Sequence, residues 1–320
     1  MTADGGQAGG AHEHYLRVRG WARRMLDSPG QLERSEAEQA VSRALAPLWD
    51  ASPDTIAGLR RWAEPFGGAS AADYDAPESR IEKAIRRDLK RLFVQVGRDL
   101  FVEEPSILGG FGCRTSAGRC NADTLRFFSA LVALQDGAVL PAFQQPSRRI
   151  VWEIGGGWGG FAYQFKTICP NVTYLITGRP DTFLVSAVYL MTAFPGARCR
   201  FFGESSTDAL WNEWENVDFV FAPEEALDAL RPPRLDLTLD VMTLRQVTPE
   251  RVEQHVRHAF ETGCRYLYSL HQGDWADGEP PALWRAFERL YWLHPVPSRV
   301  ELRKTGAEYS HLVGWRRRRA

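Results

Sequence analysis

A strand, a glycine-rich turn and the first residues of a helix follow one another in Val151-Trp152-Glu153-Ile154-Gly155-Gly156-Gly157-Trp158-Gly159-Gly160. The apolar run before Gly155 is typical of a buried parallel strand. Glycines let the backbone turn tightly and let a ligand approach without a clash with Cβ. The N–H groups at the start of a helix attract an anionic group. We therefore predict a ligand-binding turn between a strand and a helix.

The glycine spacing fits two classes of ligand that contain adenosine. The turn satisfies both G-x-G-x-x-G and G-x-G-x-G, so either a dinucleotide or S-adenosylmethionine would fit it. Glu153, two residues before the first glycine, favours S-adenosylmethionine because a carboxylate there can meet the ammonium group of that ligand. Arg179, after the second strand, could instead meet a 2′-phosphate. An NADP-dependent oxidoreductase is therefore the alternative.

Alternating strands and helices continue after the turn. Apolar runs predict strands at 150–154, 173–177, 198–202, 217–221, 235–241 and 266–270. Such alternation gives a parallel sheet covered by helices on both faces. After a predicted helix at 281–292, two further runs at 299–303 and 309–315 predict an antiparallel hairpin. We expect an α/β, Rossmann-like, doubly wound sheet that ends in this hairpin, as in the methyltransferase variant of the fold.

The first 146 residues have a different pattern. Residues 1–11 are rich in glycine, which predicts disorder, and helical periodicity follows. Three glycines within 108–112 predict a sharp loop. We expect residues 1–146 to form a helical cap that shapes the acceptor pocket of a Rossmann-like domain at 147–320.

Charge and composition exclude several classes of protein. Lys and Arg number 39 and Asp and Glu number 40, so there is no basic excess for nucleic acid. No run approaches ~18 apolar residues, and the first residues are not a signal peptide. The five cysteines are widely spaced without C-x-x-C, which favours neither disulfides nor zinc. We expect a soluble cytoplasmic protein that binds a small molecule, without nucleic acid or membrane as partner.

Several motifs together resemble the sugar O-methyltransferases that use S-adenosylmethionine. The stretches that carry the resemblance are 153–166, 108–112, 121–125, 189–192, 232–238 and 267–270. The resemblance covers roughly the last two thirds of the chain. It implies a class I methyltransferase with S-adenosylmethionine as cofactor. The implied acceptor is a sugar hydroxyl or glycoside in natural-product or polysaccharide biosynthesis. A degenerate, non-catalytic scaffold with the same fold is a further alternative.

The chain departs from the pattern of that family at three positions. Gly178 ends the second strand where the family has an acidic residue, Gln246 replaces a glutamate, and His271 replaces an asparagine. An acidic residue at the end of the second strand commonly binds ribose hydroxyls, so we expect Asp181 to supply that carboxylate. The predicted cofactor-binding residues are Glu153, Gly155, Gly156, Gly157, Gly159, Gly178 and Asp181.

Three further residues are candidates for catalysis because the carboxyl ends of parallel strands face the crevice of such folds. His271 is the predicted general base, since imidazole titrates near neutral pH. Asp240 could bind the cofactor, orient His271 or ligate a metal, and Gln246 could hydrogen-bond the sugar. Asp240, His271 and Asp274 could together ligate a divalent metal. Their spacing is not diagnostic, and we expect no metal.

Overall fold

A computed structural model describes residues 4–28, 32–75, 80–272, 282–298 and 309–317. Its helices are α1 Asp4–Leu26, α2 Glu36–Leu45, α3 Pro53–Ala57, α4 Arg80–Val96, α5 Ala122–Asp136, α6 Gly160–Ile168, α7 Phe183–Ala193, α8 Thr207–Trp211, α9 Pro249–Glu261 and α10 Ala282–Glu288. Its strands are β1 Cys113–Thr115, β2 Gly118–Cys120, β3 Arg149–Ile154, β4 Val172–Gly178, β5 Cys199–Phe201, β6 Phe219–Pro223, β7 Leu237–Val241, β8 Tyr266–Gln272, β9 Tyr291–Val296 and β10 Tyr309–Arg316.

The strands β3 to β10 form one sheet, in the order β5-β6-β4-β3-β7-β8-β10-β9. Neighbouring strands from β5 to β8 are parallel. Strand β10 runs antiparallel between β8 and β9. The structure thus confirms the predicted α/β, Rossmann-like sheet with an antiparallel pair of strands at its carboxyl-terminal end.

The direction in which the sheet grows changes at β3. The chain passes from β3 to β4 on one side and later adds β7 on the other side of β3. Where the connections of two adjacent strands lead to opposite sides of the sheet, a crevice opens at the carboxyl ends of these two strands. This position follows the glycine turn and precedes α6, so the topology itself marks the place for a ligand.

Alternate residues of the strands face two separate layers of helices. On β3, Val151 packs into the core cluster that contains α1, α5, α6 and α7. Its neighbours Ile150 and Trp152 pack into the cluster that contains α8, α9 and α10. Because successive side chains of a strand point to opposite faces, these strands are apolar on both faces and are buried.

Helix α1 fixes the N-terminal region to the sheet. The indole Nε1 of Trp21 donates to the carbonyl of Phe202 at 2.7 Å, and its ring lies 5.3 Å from that of Phe183. The helix begins at Asp4, so residues 4–11, for which the sequence predicts disorder, are helical. The buried Ala11 and Tyr15 belong to the same core and explain this order. The division of the chain after residue 146 stays a prediction.

The carboxyl-terminal elements differ in part from the prediction. Helix α10 ends at Glu288 and strand β9 begins at Tyr291, so the predicted helix at 281–292 is wrong at its end. The reason is that Tyr291 is fully buried in the core and pairs in register with Arg316. The predicted strand at 299–303 lies outside the described residues, and β9 is the hairpin partner observed for β10. Within the described ranges, no helix is both long and apolar enough to cross a membrane.

Candidate functional site

A cleft opens at the carboxyl ends of β3, β4 and β7. It encloses about 690 Å³, including space that is open to solvent. The glycine turn contributes Gly155 and Gly157, and the N-terminal region contributes Glu38, Val41 and Phe66. The cleft therefore lies at the change of sheet direction, and the N-terminal region forms one of its walls. The glycine loop at 108–112 is not among the residues that line it.

The glycine turn is closed against its neighbours so tightly that side chains do not fit. Gly155 has φ of +87°, and a Cβ there would lie 2.4 Å from Cγ2 of Thr243. Gly156 has φ of +64°, and its Cβ would lie 2.4 Å from Cγ2 of Ile176. Gly157 and Gly159 also have positive φ, and Gly159 precedes α6. The predicted sharp turn is confirmed, because only glycine adopts this backbone without strain.

Two carboxylates also line the cleft. Glu38 and Glu224 line it, Arg251 contacts both, and we call these three residues the charged wall. Nη1 of Arg251 lies 3.0 Å from Oε2 of Glu38, and its Nε lies 3.0 Å from Oε1 of Glu224. Nε2 of His255 lies 3.1 Å from the same Oε1 of Glu224. Burial raises the pKa of Glu224, but hydrogen bonds and charge from His255 and Arg251 outweigh it and lower that pKa below its ordinary value. The Glu224 carboxylate is therefore ionised at neutral pH.

Backbone atoms and an ion-paired arginine lie at the end of β4. Gly178 and Arg179 line the cleft. The Arg179 guanidinium pairs with the carboxylate of Asp181 and donates to the backbone carbonyl of Glu38. Oγ of Ser42 donates to Oδ2 of Asp181 at 2.6 Å. Both contacts fall on Oδ2 of Asp181, the predicted ribose acceptor, and its buried Oδ1 has no hydrogen-bond partner among the described residues. Asp181 is not among the described residues that line the cleft. Gly178 lines it without a carboxylate.

Two predicted acids lie beneath the cleft in the sheet. Glu153 is 2% exposed, accepts a hydrogen bond from the Tyr174 hydroxyl at 2.9 Å and does not line the cleft. Burial raises its pKa to about 8, so it is mostly protonated at pH 7 and does not offer a full charge to an ammonium group. Oδ1 of Asp240 accepts from the backbone N–H groups of Thr243 and Leu244, and Oδ2 accepts from Ser269. Asp240 therefore holds the loop after β7.

Of the predicted catalytic residues, Gln246 lines the cleft and His271 does not. His271 lies on β8, and its ring centroid is 6.3 Å from that of Trp284 on α10. Its role as a base stays a prediction. Asp274 lies outside the described residues. Among the residues that the structure describes, no group of three or more His, Cys, Asp or Glu side chains could hold a metal ion.

The sequence reasoning missed all three residues of the charged wall and the apolar residues of the N-terminal region that line the cleft. One signal was present for Glu38, because Ser35 and Glu38 form a capping box that begins α2. The capping box predicts a helix, but it does not predict that Glu38 faces a cleft. For Phe66, Glu224 and Arg251 we find no local signal, because their contacts join segments far apart in the chain.

No family model matches the chain, and none of the curated proteins compared matches it. Among solved structures, the N-methyltransferase NodS from Bradyrhizobium japonicum WM9 is 10% identical with a TM-score of 0.38 over 58% of this chain and 96% of that one. The METTL16 methyltransferase domain is 12% identical with a TM-score of 0.38 over 62% and 69%. A DhpI–SAH complex is 12% identical with a TM-score of 0.34 over 59% and 88%. The strand order of this chain is the basis for its Rossmann-like α/β class.

Proposed function

We propose that this protein is an S-adenosylmethionine-dependent methyltransferase that acts on a sugar hydroxyl. One observation carries the cofactor class: a glycine turn follows the central strand β3 of a sheet whose last strand, β10, runs antiparallel between β8 and β9. The dinucleotide-binding form of the fold is more typically parallel throughout. The sugar acceptor and the natural-product or polysaccharide context rest on the sequence motifs that resemble sugar O-methyltransferases.

The cleft has features that fit a nucleoside cofactor. Gly155 and Gly156 form a surface on which a Cβ would collide with neighbours, so a ligand meets backbone there. Nε of Arg179, in a side chain only 8% exposed, has no hydrogen-bond partner among the described residues. We assign the backbone of Gly155, Gly157 and Gly178 to the binding of the cofactor. When bound, S-adenosylmethionine supplies an electrophilic methyl group.

The residues of the cleft have separate tasks in the proposed transfer. The acceptor hydroxyl has to be aligned with the methyl group, and positioning of this kind supplies much of the acceleration of a two-substrate reaction. Val41 and Phe66 line the cleft with apolar surface and exclude water. The Gln246 amide can hydrogen-bond the acceptor. His271 does not line the cleft, and its proposed role as the base that takes the proton is tested by a substitution considered below.

The charged wall disfavours the rival oxidoreductase. NADP would bring a 2′-phosphate toward Arg179, but this guanidinium already pairs with Asp181. Glu38 and Glu224 line the same cleft, and with Arg251 between them the charged wall keeps one net negative charge, which does not attract a phosphate. A non-catalytic scaffold with the same fold differs from the proposed enzyme only in activity, so it has to be separated by an assay of methyl transfer.

Titration calorimetry tests the cofactor. We expect one molecule of S-adenosylhomocysteine to bind per chain and NADPH not to bind under the same conditions. Absence of S-adenosylhomocysteine binding would refute the methyltransferase proposal, and binding of NADPH would favour the rival. Transfer of a labelled methyl group to a panel of sugars and glycosides then separates the enzyme from the scaffold. Binding without transfer to any of them would favour the scaffold.

A further inference from the structure

We propose that Glu38 of α2 accepts the hydrogen bonds of the cofactor ribose hydroxyls, in place of the acidic residue that Gly178 lacks. The inference rests on the proposed function, because it assigns one part of the same cofactor site. A ribose offers two neighbouring hydroxyl donors, and a carboxylate is the side chain best suited to accept both. In the resembled family this carboxylate belongs to the end of the second strand, whereas here it comes from the N-terminal region.

The position of Glu38 supports this assignment. The backbone carbonyl of Glu38 accepts a hydrogen bond from the guanidinium of Arg179, which is the residue after Gly178. Glu38, Gly178 and Arg179 all line the same cleft. Helix α2 is therefore held against the end of β4, where a ribose lies in folds of this topology.

The carboxylate of Glu38 is fixed but not saturated. Its Oε2 accepts from the backbone N–H of Ser35 at 2.8 Å and lies 3.0 Å from Nη1 of Arg251. Its Oε1 lies 3.1 Å from the same Nη1. An ionised carboxylate has about four acceptor positions, so Oε1 can accept a further donor. The side chain is 10% exposed, and it lines the cleft. These contacts preorganise the acceptor before a ligand arrives.

A second acid of the cleft is less suited to the ribose. Glu224 follows β6, and Pro223 of that strand pairs in register with Gly178 of β4. Glu224 therefore lies one strand further from the glycine turn than Gly178 does. Both carboxylates contact Arg251, so it is this position in the sheet, and not the number of contacts, that separates Glu224 from Glu38.

The experiment removes the carboxylate and the hydroxyls separately. Calorimetry compares S-adenosylhomocysteine with its 2′,3′-dideoxyribose analogue, on the native protein and on Glu38→Gln. We expect Glu38→Gln to weaken the binding of S-adenosylhomocysteine by about tenfold or more, because a hydrogen bond to a charged group is lost. The analogue has no ribose hydroxyls for Glu38 to bind, so we expect the same substitution to weaken its binding by less than about threefold. The coupling between the two changes isolates the contact.

Two further variants allow the test to be interpreted if Glu38→Gln does not fold. Ser35→Ala removes the hydroxyl of the α2 cap and keeps the carboxylate, so it should preserve the preference for the ribose ligand. Glu38→Asp keeps the charge but shortens the side chain, and should lose part of the preference even if Glu38→Gln does not fold. Thermal melting of each variant confirms the folded state.

The outcomes are distinguishable. If the native protein binds S-adenosylhomocysteine and prefers it equally over the analogue with and without the Glu38 carboxylate, this inference is wrong and the proposed function stands. If the native protein binds neither ligand, the proposed function fails and this inference fails with it. A preference that is lost in Glu38→Gln and kept in Ser35→Ala supports both.

Discussion

The glycine turn and the charged wall bound the same cleft, yet they depend on different physical causes. The turn depends on the absence of side chains, because a Cβ at Gly155 or Gly156 would collide with its neighbours. The charged wall depends on compensation, because Arg251 lies between the two buried carboxylates of Glu38 and Glu224. The comparison teaches that one cleft can combine a local backbone device with a long-range electrostatic one, and that the two should fail in different ways.

The largest expected effect comes from Arg251→Gln. The substitution leaves Glu38 and Glu224 buried without their cation, and breaking a buried pair by removal of one partner costs about 3–5 kcal/mol. Urea denaturation should show a fall of this size in the free energy of unfolding. Arg257→Gln, an exposed change on the same helix, is the control and should stay within about 0.5 kcal/mol. Equal stability of the two variants would contradict the role of Arg251.

The second largest loss in the free energy of unfolding is expected for Gly156→Ala, which changes no charged group. The backbone at φ of +64° is strained for alanine, and its Cβ would lie 2.4 Å from Cγ2 of Ile176. Strain and overpacking together predict a loss of about 2–4 kcal/mol. In Gly157→Ala the nearest atom, Cβ of Phe66, is 4.0 Å away, so only the strain of about 1–2 kcal/mol remains. Chemical denaturation of both variants isolates the collision, which is absent if they lose the same amount.

Glu153, beneath the glycine turn, should make stability depend on pH. Its pKa in the folded protein is about 8, above the ordinary 4.5. Between these values the folded state keeps a proton that the unfolded chain has released, so this contribution to stability falls as the pH rises from about 4.5 to about 8. Glu153→Gln should remove that fall, so the stability of this variant relative to the native protein should rise from pH 5 to pH 8.

The control for this pH profile is Glu253→Gln, which changes an exposed carboxylate on α9. Free energies of unfolding are measured from pH 5 to pH 9 for the native protein and for both variants. The Glu253→Gln profile should follow that of the native protein. A Glu153→Gln profile that also follows it would show that Glu153 ionises normally in the folded state.

The smallest expected effect on ligand affinity is that of His271→Ala, because His271 belongs to neither side of the cleft. The dissociation constant of S-adenosylhomocysteine, measured by calorimetry, should change by no more than about twofold, well within the spread of changes away from a binding surface. If His271 is the base, the rate of methyl transfer falls in the same variant. Unchanged turnover would exclude that role.

The same contrast explains what the sequence could predict. The strand at 149–154 and the turn after it are specified within ten residues by apolar side chains and glycines, so both were readable. The contact of Arg251 with Glu38 joins residues 213 positions apart, and no periodicity or motif encodes such a pair. His271 follows the strand that the sequence predicts at 266–270, but β8 continues to Gln272 and keeps His271 in the sheet. The ends of strands are predicted from sequence less accurately than the strands themselves.

The contact between Arg251 and Glu38 also sets an order of events during protein synthesis. Chains emerge from the ribosome with the amino terminus first, so Glu38 is made 213 residues before the arginine that neutralises it. Helix α2 can form early from its own capping box, but its carboxylate has to remain hydrated until α9 arrives. The cleft is therefore completed late, and a nascent chain that ends before α9 lacks the one cation of the charged wall.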